Sequence, residues 1–90
     1  MTSWSLKISP QAQDDLAWFR KNNRVAYQKS FDLTLAVIEN PFAGIGKPEQ
    51  LKFLGGNVWS RRVTHEHRMV YEIFEDLIVV AAYRHHYGKR

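Results

Sequence analysis

Residues 4–8, W-S-L-K-I, alternate apolar and polar, with Trp4, Leu6 and Ile8 on one side, and this predicts a short first strand. Ser9-Pro10 reads as an N-cap followed by proline at the first helical position, so a helix begins there. Asp14 and Asp15 sit early in it, where the helix dipole favours acids, and Ala12, Leu16 and Phe19 mark its inner stripe. Lys21-Asn22-Asn23 breaks it. A second helix is expected from about Arg24 to Glu39, with Tyr27, Phe31, Leu35 and Ile38 at helical spacing on one face, ending at Asn40-Pro41. Two helices joined by so few polar residues form an antiparallel hairpin.

From Pro41 to Asn57 the pattern changes. P-F-A-G-I-G-K-P-E-Q-L-K-F-L-G-G-N holds four glycines and two prolines and reads as a structured loop. Three β-rich runs follow, V-W-S-R-R-V-T-H, R-M-V-Y-E-I-F and L-I-V-V-A-A-Y-R-H-H, separated by polar turns at His65-Glu66 and Glu75-Asp76. The order β-α-α-β-β-β implies an α+β protein, its helices packed on one face of a small antiparallel sheet, the other face open to polar chemistry.

Composition narrows the function classes. Ninety residues suit one domain, residues 1–90. With 44% hydrophobic and 24% charged residues the chain is globular in type, and the absence of cysteine excludes disulfides, thiolate metal sites and thiol catalysis. No charged start leads into a long apolar stretch and no run approaches a spanning helix, so the expectation is a soluble cytoplasmic protein without membrane association. The net charge of +4 leans to the second half, through Lys47, Lys52, Arg61, Arg62, Arg68 and Arg84, and suits a phosphate-rich partner.

Candidate chemistry gathers on the strands. In the last one, Leu77, Val79, Ala81, Tyr83 and His85 should point one way and Ile78, Val80, Ala82, Arg84 and His86 the other. The adjacent histidines then face opposite sides, and with no H-x-x-x-H helix no metal and no cofactor is expected. If the last hairpin turns near Glu75-Asp76, Arg68 lies opposite residues 83–86, beside histidine and tyrosine. That arrangement suits a phosphate site, and equally an edge salt bridge. G-I-G-K-P lacks the P-loop pattern and reads as a turn delivering E-Q-L-K to the sheet. Glu49 and Lys52, three apart, would share one side of a helical turn. Trp59 beside Ser60-Arg61-Arg62 could stack and grip single-stranded RNA, although a strand tryptophan is more often core.

Taken together, P-F-A-G-I-G-K-P-E-Q-L-K, W-S-R-R-V-T-H-E-H-R-M-V-Y and Y-R-H-H-Y closely resemble the YoeB/Txe family of bacterial toxins, within the RelE/ParE superfamily. The resemblance spans nearly the whole chain and is strongest from Asn40 to Tyr87. It implies a compact microbial-ribonuclease-like fold and the toxin of a type II toxin–antitoxin pair, a ribosome-dependent endoribonuclease that cuts mRNA in the decoding site. It also implies restraint by a YefM/Axe-type antitoxin, repression of operator DNA by the toxin–antitoxin complex, and homodimerisation as one assembly state. Carried onto this sequence, Glu49 is the general base, His86 the general acid, Arg68 and Tyr87 complete the catalytic set, and Lys52 and Arg62 hold RNA phosphate; Arg61, from the aromatic and basic run beside Trp59, joins them as an RNA-binding candidate. His65 departs from the glutamate common at its position, and Gly88-Lys89-Arg90 extends past a tyrosine that often ends family chains. The rival readings are a non-catalytic superfamily toxin that poisons its target by binding, or a small basic nucleic-acid-binding module.

Overall fold

The computed structural model describes residues 4–86. The elements are β1 (Ser5–Ile8), α1 (Pro10–Asn22), α2 (Arg24–Glu39), β2 (Glu49–Gln50), a 3-10 turn (Lys52–Leu54), β3 (Val58–Arg62), β4 (Arg68–Phe74) and β5 (Leu77–His85). Polar caps set the helix boundaries. Ser9 Oγ accepts from the Ala12 N–H at 3.1 Å, with Pro10 at the first helical position. Asn23 both stops α1 and caps α2, its Oδ1 accepting from the Ala26 N–H at 3.1 Å. Asn40 is extended, as the residue before a proline must be.

The strands form one sheet in the order β1-β5-β4-β3-β2. The β2–β3, β3–β4 and β4–β5 pairs are antiparallel, as the polar turns suggest. β1 departs from that expectation and runs parallel to β5, with Ser5 opposite Leu77 and Ile8 opposite Val80. A parallel pairing needs a long connection, and the two helices and the three intervening strands supply it. β2 was not foreseen as a strand. The G-I-G-K-P turn does deliver Glu49 to the sheet, but Glu49 lies in a strand and Lys52 opens the 3-10 turn, so the two do not share one helical turn.

The core lies between the helices and one sheet face. It joins Ala12 and Phe19 of α1, Ala26, Leu33 and Val37 of α2, Met69, Tyr71 and Ile73 of β4, and Ile78, Val80 and Tyr83 of β5. Trp59 packs against it and donates Nε1–H to Asn57 Oδ1 at 2.7 Å, which supports the core reading of that residue. The stripe Tyr27, Phe31, Leu35 and Ile38 is not the buried face of α2. Leu35 is 68% exposed, while Ser30 and Thr34 are buried and bond the carbonyls of Ala26 and Ser30. A smaller cluster of Leu51, Val58 and Val70 sits on the opposite sheet face. No helix among the described residues is long and apolar enough to cross a membrane.

β5 does not keep a period of two. The pairs run Tyr71↔Val80, Val70↔Ala82 and Arg68↔His85, so β5 carries extra residues against β4. The shift turns Tyr83 to the helix side with Ile78 and Val80, instead of leaving it with Leu77 and Val79. The loosened backbone is held from α1. Ser9 donates N–H to the Val80 carbonyl at 3.0 Å and Oγ–H to the Ala81 carbonyl at 2.9 Å. Asp15 Oδ2 accepts from the Tyr83 and Arg84 N–H groups at 2.9 and 3.2 Å. Asp15 is therefore a buried brace for β5 and not a surface acid near a helix start.

Candidate functional site

Strand alternation separates the two arginines of β3. Arg61 faces the helices and is fully buried. Its guanidinium donates Nε–H to Tyr71 Oη at 3.1 Å, Nη1–H to the Ile45 carbonyl at 3.2 Å, and Nη2–H to the carbonyls of Asn40 and Ala43 at 2.6 and 3.1 Å. Tyr71 in turn donates its hydroxyl to the Pro41 carbonyl at 2.7 Å. Placing Arg61 on the RNA surface is thus corrected: it anchors the 40–46 loop from inside. Arg62 is exposed, and its N–H donates to the Gly46 carbonyl at 2.7 Å. Gly46, at φ +85°, also lies tight between α2 and β3, where a Cβ would meet Leu33 at 2.6 Å and Arg61 Cβ at 3.0 Å.

On the free face, β2, β3 and β4 bring Glu49, Ser60 and Arg68 together. Glu49 pairs with Ser60, and Arg62 pairs with Arg68. Arg68 is 6% exposed, donating Nε–H to Ser60 Oγ at 3.1 Å and Nη2–H to Glu49 Oε1 at 3.4 Å. Glu49 is about half exposed, and Lys52 lies exposed at the start of the 3-10 turn. Turn counting placed Arg68 opposite residues 83–86, and its register partner is His85.

His86 follows that partner, past the end of β5. Its ring stands edge-on to His67, centroids 4.8 Å apart. His67 was not singled out from sequence. It packs edge-on against Phe19 at 5.4 Å and Trp18 at 6.3 Å. Thr64 Oγ1 contacts its Nδ1 at 3.2 Å and also accepts from the Glu66 and His67 N–H groups. Burial pushes the His67 pKa below the ordinary imidazole value; His86 and Arg84 add to that, while Glu66 and Asp15 oppose it. Arg84 lies over the Trp18 ring at 3.7 Å, a cation–π stack. The sequence signal for His67 was available. Its position just before β4 in T-H-E-H-R places it at the β3–β4 turn, near the end of β5. His85 and His65 are exposed. Tyr87 and Gly88-Lys89-Arg90 lie outside the described residues.

The structure groups His86 with His67 against Trp18 and Phe19 of α1, and the residue paired with Arg68 is His85. On the open sheet face it brings a carboxylate and a buried guanidinium, Glu49 and Arg68, into contact, with Lys52 and Arg62 exposed. Such a set can move protons and stabilise a phosphate-centred negative charge.

Comparison with known proteins agrees with the motifs. The family model for the YoeB-like toxin of bacterial type II toxin–antitoxin systems matches residues 8–87. Toxin YoeB of Escherichia coli strain K12 is 38% identical over 79 residues, covering 88% of this chain and 94% of that protein. The structure of the YoeB dimer from Staphylococcus aureus superposes with a TM-score of 0.84 at 36% identity, covering 96% of this chain and 100% of that one. The heterotetrameric YoeB–YefM toxin–antitoxin complex from the same organism gives 0.78 at 38% identity, with the same coverage. The chain belongs to the YoeB-like family of toxins of bacterial type II toxin–antitoxin systems.

Proposed function

We propose that this toxin is a ribosome-dependent endoribonuclease that inhibits translation by cutting mRNA in the decoding site. The contact between Glu49 and Arg68 at 3.4 Å carries the reading, because it sets a proton acceptor beside a cation suited to a phosphorane. Glu49 takes the proton from a ribose 2′-hydroxyl, and the alkoxide attacks the adjacent phosphorus. Arg68, with Lys52, stabilises the pentacoordinate phosphorane, and Arg62 holds flanking phosphate. Protonated His86 gives its proton to the departing 5′-oxygen, while Tyr87 stacks on a base or orients the phosphate. The products are a 2′,3′-cyclic phosphate and a 5′-hydroxyl, and the proton transfers call for no metal.

In the cell the protein is cytoplasmic and held in check by a YefM/Axe-type antitoxin, with which it represses its own operator. The antitoxin pairing is supported by the S. aureus YoeB–YefM complex, and a homodimer by the S. aureus YoeB dimer.

The test is to express the protein and its Glu49→Gln and His86→Gln variants in ribosome-containing extract and map mRNA ends. Each substitution should reduce discrete 5′-hydroxyl ends by about 10²–10⁴-fold, the usual worth of a general acid or base. If both variants still cleave ribosome-bound mRNA, the acid and base assignments are wrong. Growth arrest without any such ends would point instead to a toxin that acts by binding.

A further inference from the structure

The ligating atoms of Glu66, His67 and His86 all lie within 4.8 Å of one another. We propose that these three side chains form a zinc-class divalent metal site whose occupancy switches the toxin off by capturing His86. The inhibitory half rests on the acid role given to His86 above; the binding half does not.

The donor set is two imidazoles and a carboxylate, the composition borderline-soft cations such as zinc accept, with a fourth position left for water or a phosphate oxygen. Zinc bonds nitrogen and oxygen at about 2.0–2.2 Å, so tetrahedral ligands stand about 3.3 Å apart. The 3.9 Å Glu66–His67 pair must therefore close by roughly 0.6 Å, and no pair by more than roughly 1.5 Å. Two of its members can move. Glu66 is 65% exposed in its side chain, and His86 lies beyond the end of β5.

His67 is the fixed ligand, 7% exposed and wedged against Phe19 and Trp18. Its Nε2 is the nitrogen 3.9 Å from Glu66 Oε2. Its Nδ1 faces Thr64 Oγ1. A metal on Nε2 puts the proton on Nδ1, where it donates to Thr64 Oγ1 in place of the 3.2 Å Glu66 N–H, so that Thr64 becomes the outer partner orienting the histidine. Arg84, stacked on Trp18, is the nearby cation opposing a metal; Glu66 and Asp15 are the nearby anions favouring one.

Binding requires each ligating nitrogen to be unprotonated, so a proton on His86 leaves to solvent as the metal arrives. A metal-bound His86 has no proton to give the leaving 5′-oxygen. The cluster differs from the pairing considered in the sequence, His85 with His86, because the β3–β4 turn provides both partners of His86.

The experiment uses untagged full-length protein, freed of metal by chelator and titrated with zinc chloride by calorimetry, with bound metal quantified after desalting. One zinc per chain is expected, with His67→Gln and Glu66→Gln each weakening binding at least about tenfold. Glu66→Gln, at an exposed position, guards against a folding defect in His67→Gln. In the mRNA cleavage assay, the rate with zinc divided by the rate with chelator should fall at least about tenfold for the parent and stay within about twofold for Glu66→Gln. No stoichiometric binding by the parent, or binding unchanged in both variants, overturns the site. Stoichiometric binding that leaves cleavage unaffected overturns the inhibition and counts against His86 as the acid.

Discussion

Replacing Arg61 by methionine keeps most of the stem and removes the guanidinium from a site with no exposure. Four hydrogen bonds from a cation disappear, to Tyr71 Oη and to the carbonyls of Asn40, Ala43 and Ile45. At about 1.5–3 kcal/mol each, the gross loss is at least about 6 kcal/mol. Two effects offset it. Removing a desolvated ion returns several kcal/mol, and the carbonyls at Ala43 and Ile45, in an exposed loop, regain water. The net expectation is a loss of about 2–4 kcal/mol, or roughly 10–25 °C in Tm for a chain of this size. Arg61→Lys should fare little better, since a single ammonium cannot span acceptors on opposite sides of a planar fork. Urea denaturation followed by tryptophan fluorescence measures both variants, with the m-value checking that the transition stays two-state. A methionine variant within about 0.5 kcal/mol of the parent refutes the anchoring role. If that variant also lost RNA binding, Arg61 would return to the RNA surface where the sequence reading put it.

Further predictions concern the brace, the loop and the tyrosines. Asp15→Ala strands two backbone N–H groups of β5 and should cost about 2–4 kcal/mol, whereas Asp15→Asn keeps an acceptor oxygen and should cost under about 1.5 kcal/mol; equal losses in urea titrations would contradict the bracing. Gly46→Ala forces a Cβ into Leu33 at a positive φ and should destabilise by about 1–3 kcal/mol, read as a lowered thermal midpoint. Burial pushes the hydroxyls of Tyr71 and Tyr83 above the ordinary phenol value, opposed by the Arg61 hydrogen bond in the first and the Thr34 one in the second. The unfolded chain then loses those protons first, so stability is intact below about pH 10 and falls as pH rises through the folded values. Tyr83→Phe should flatten that alkaline decline, and an unchanged slope in pH-stepped urea midpoints would argue against it.

The helix limits were legible because single residues set them: Ser9 with Pro10, Asn23, and Asn40 before Pro41. The buried face of α2 was not. Size alone favours Tyr27, Phe31 and Leu35, but the buried face is that of Ala26, Ser30, Leu33, Thr34 and Val37, whose two hydroxyls bond the helix's own backbone. The opposition of Arg68 and the end of β5 followed from locating one turn, while the register shifts that rotate Tyr83 inward depend on Ser9 and Asp15, some 70 residues away in sequence. Alternation along β3 would have set Arg61 apart from Arg62, since Trp59, Arg61 and Val63 share a side. The run of an aromatic beside two bases placed both arginines on RNA, and composition carries no information about which way a side chain points.

β5 is made last yet lies inside the sheet, with β1 on one flank and β4 on the other. Neither β1 nor the Ser9 and Asp15 contacts of α1 has its partner until synthesis reaches the C-terminal segment. Assembly must therefore wait on a long-range closure between the two ends of the chain, a slow kind of step. In a nascent chain of this topology the helical hairpin and the earlier strands stand without the β1–β5 pairing and the Asp15 brace until β5 is available. That delay is built into strand order, and it grants a co-translated inhibitor an interval in which to meet its target before the target can do harm.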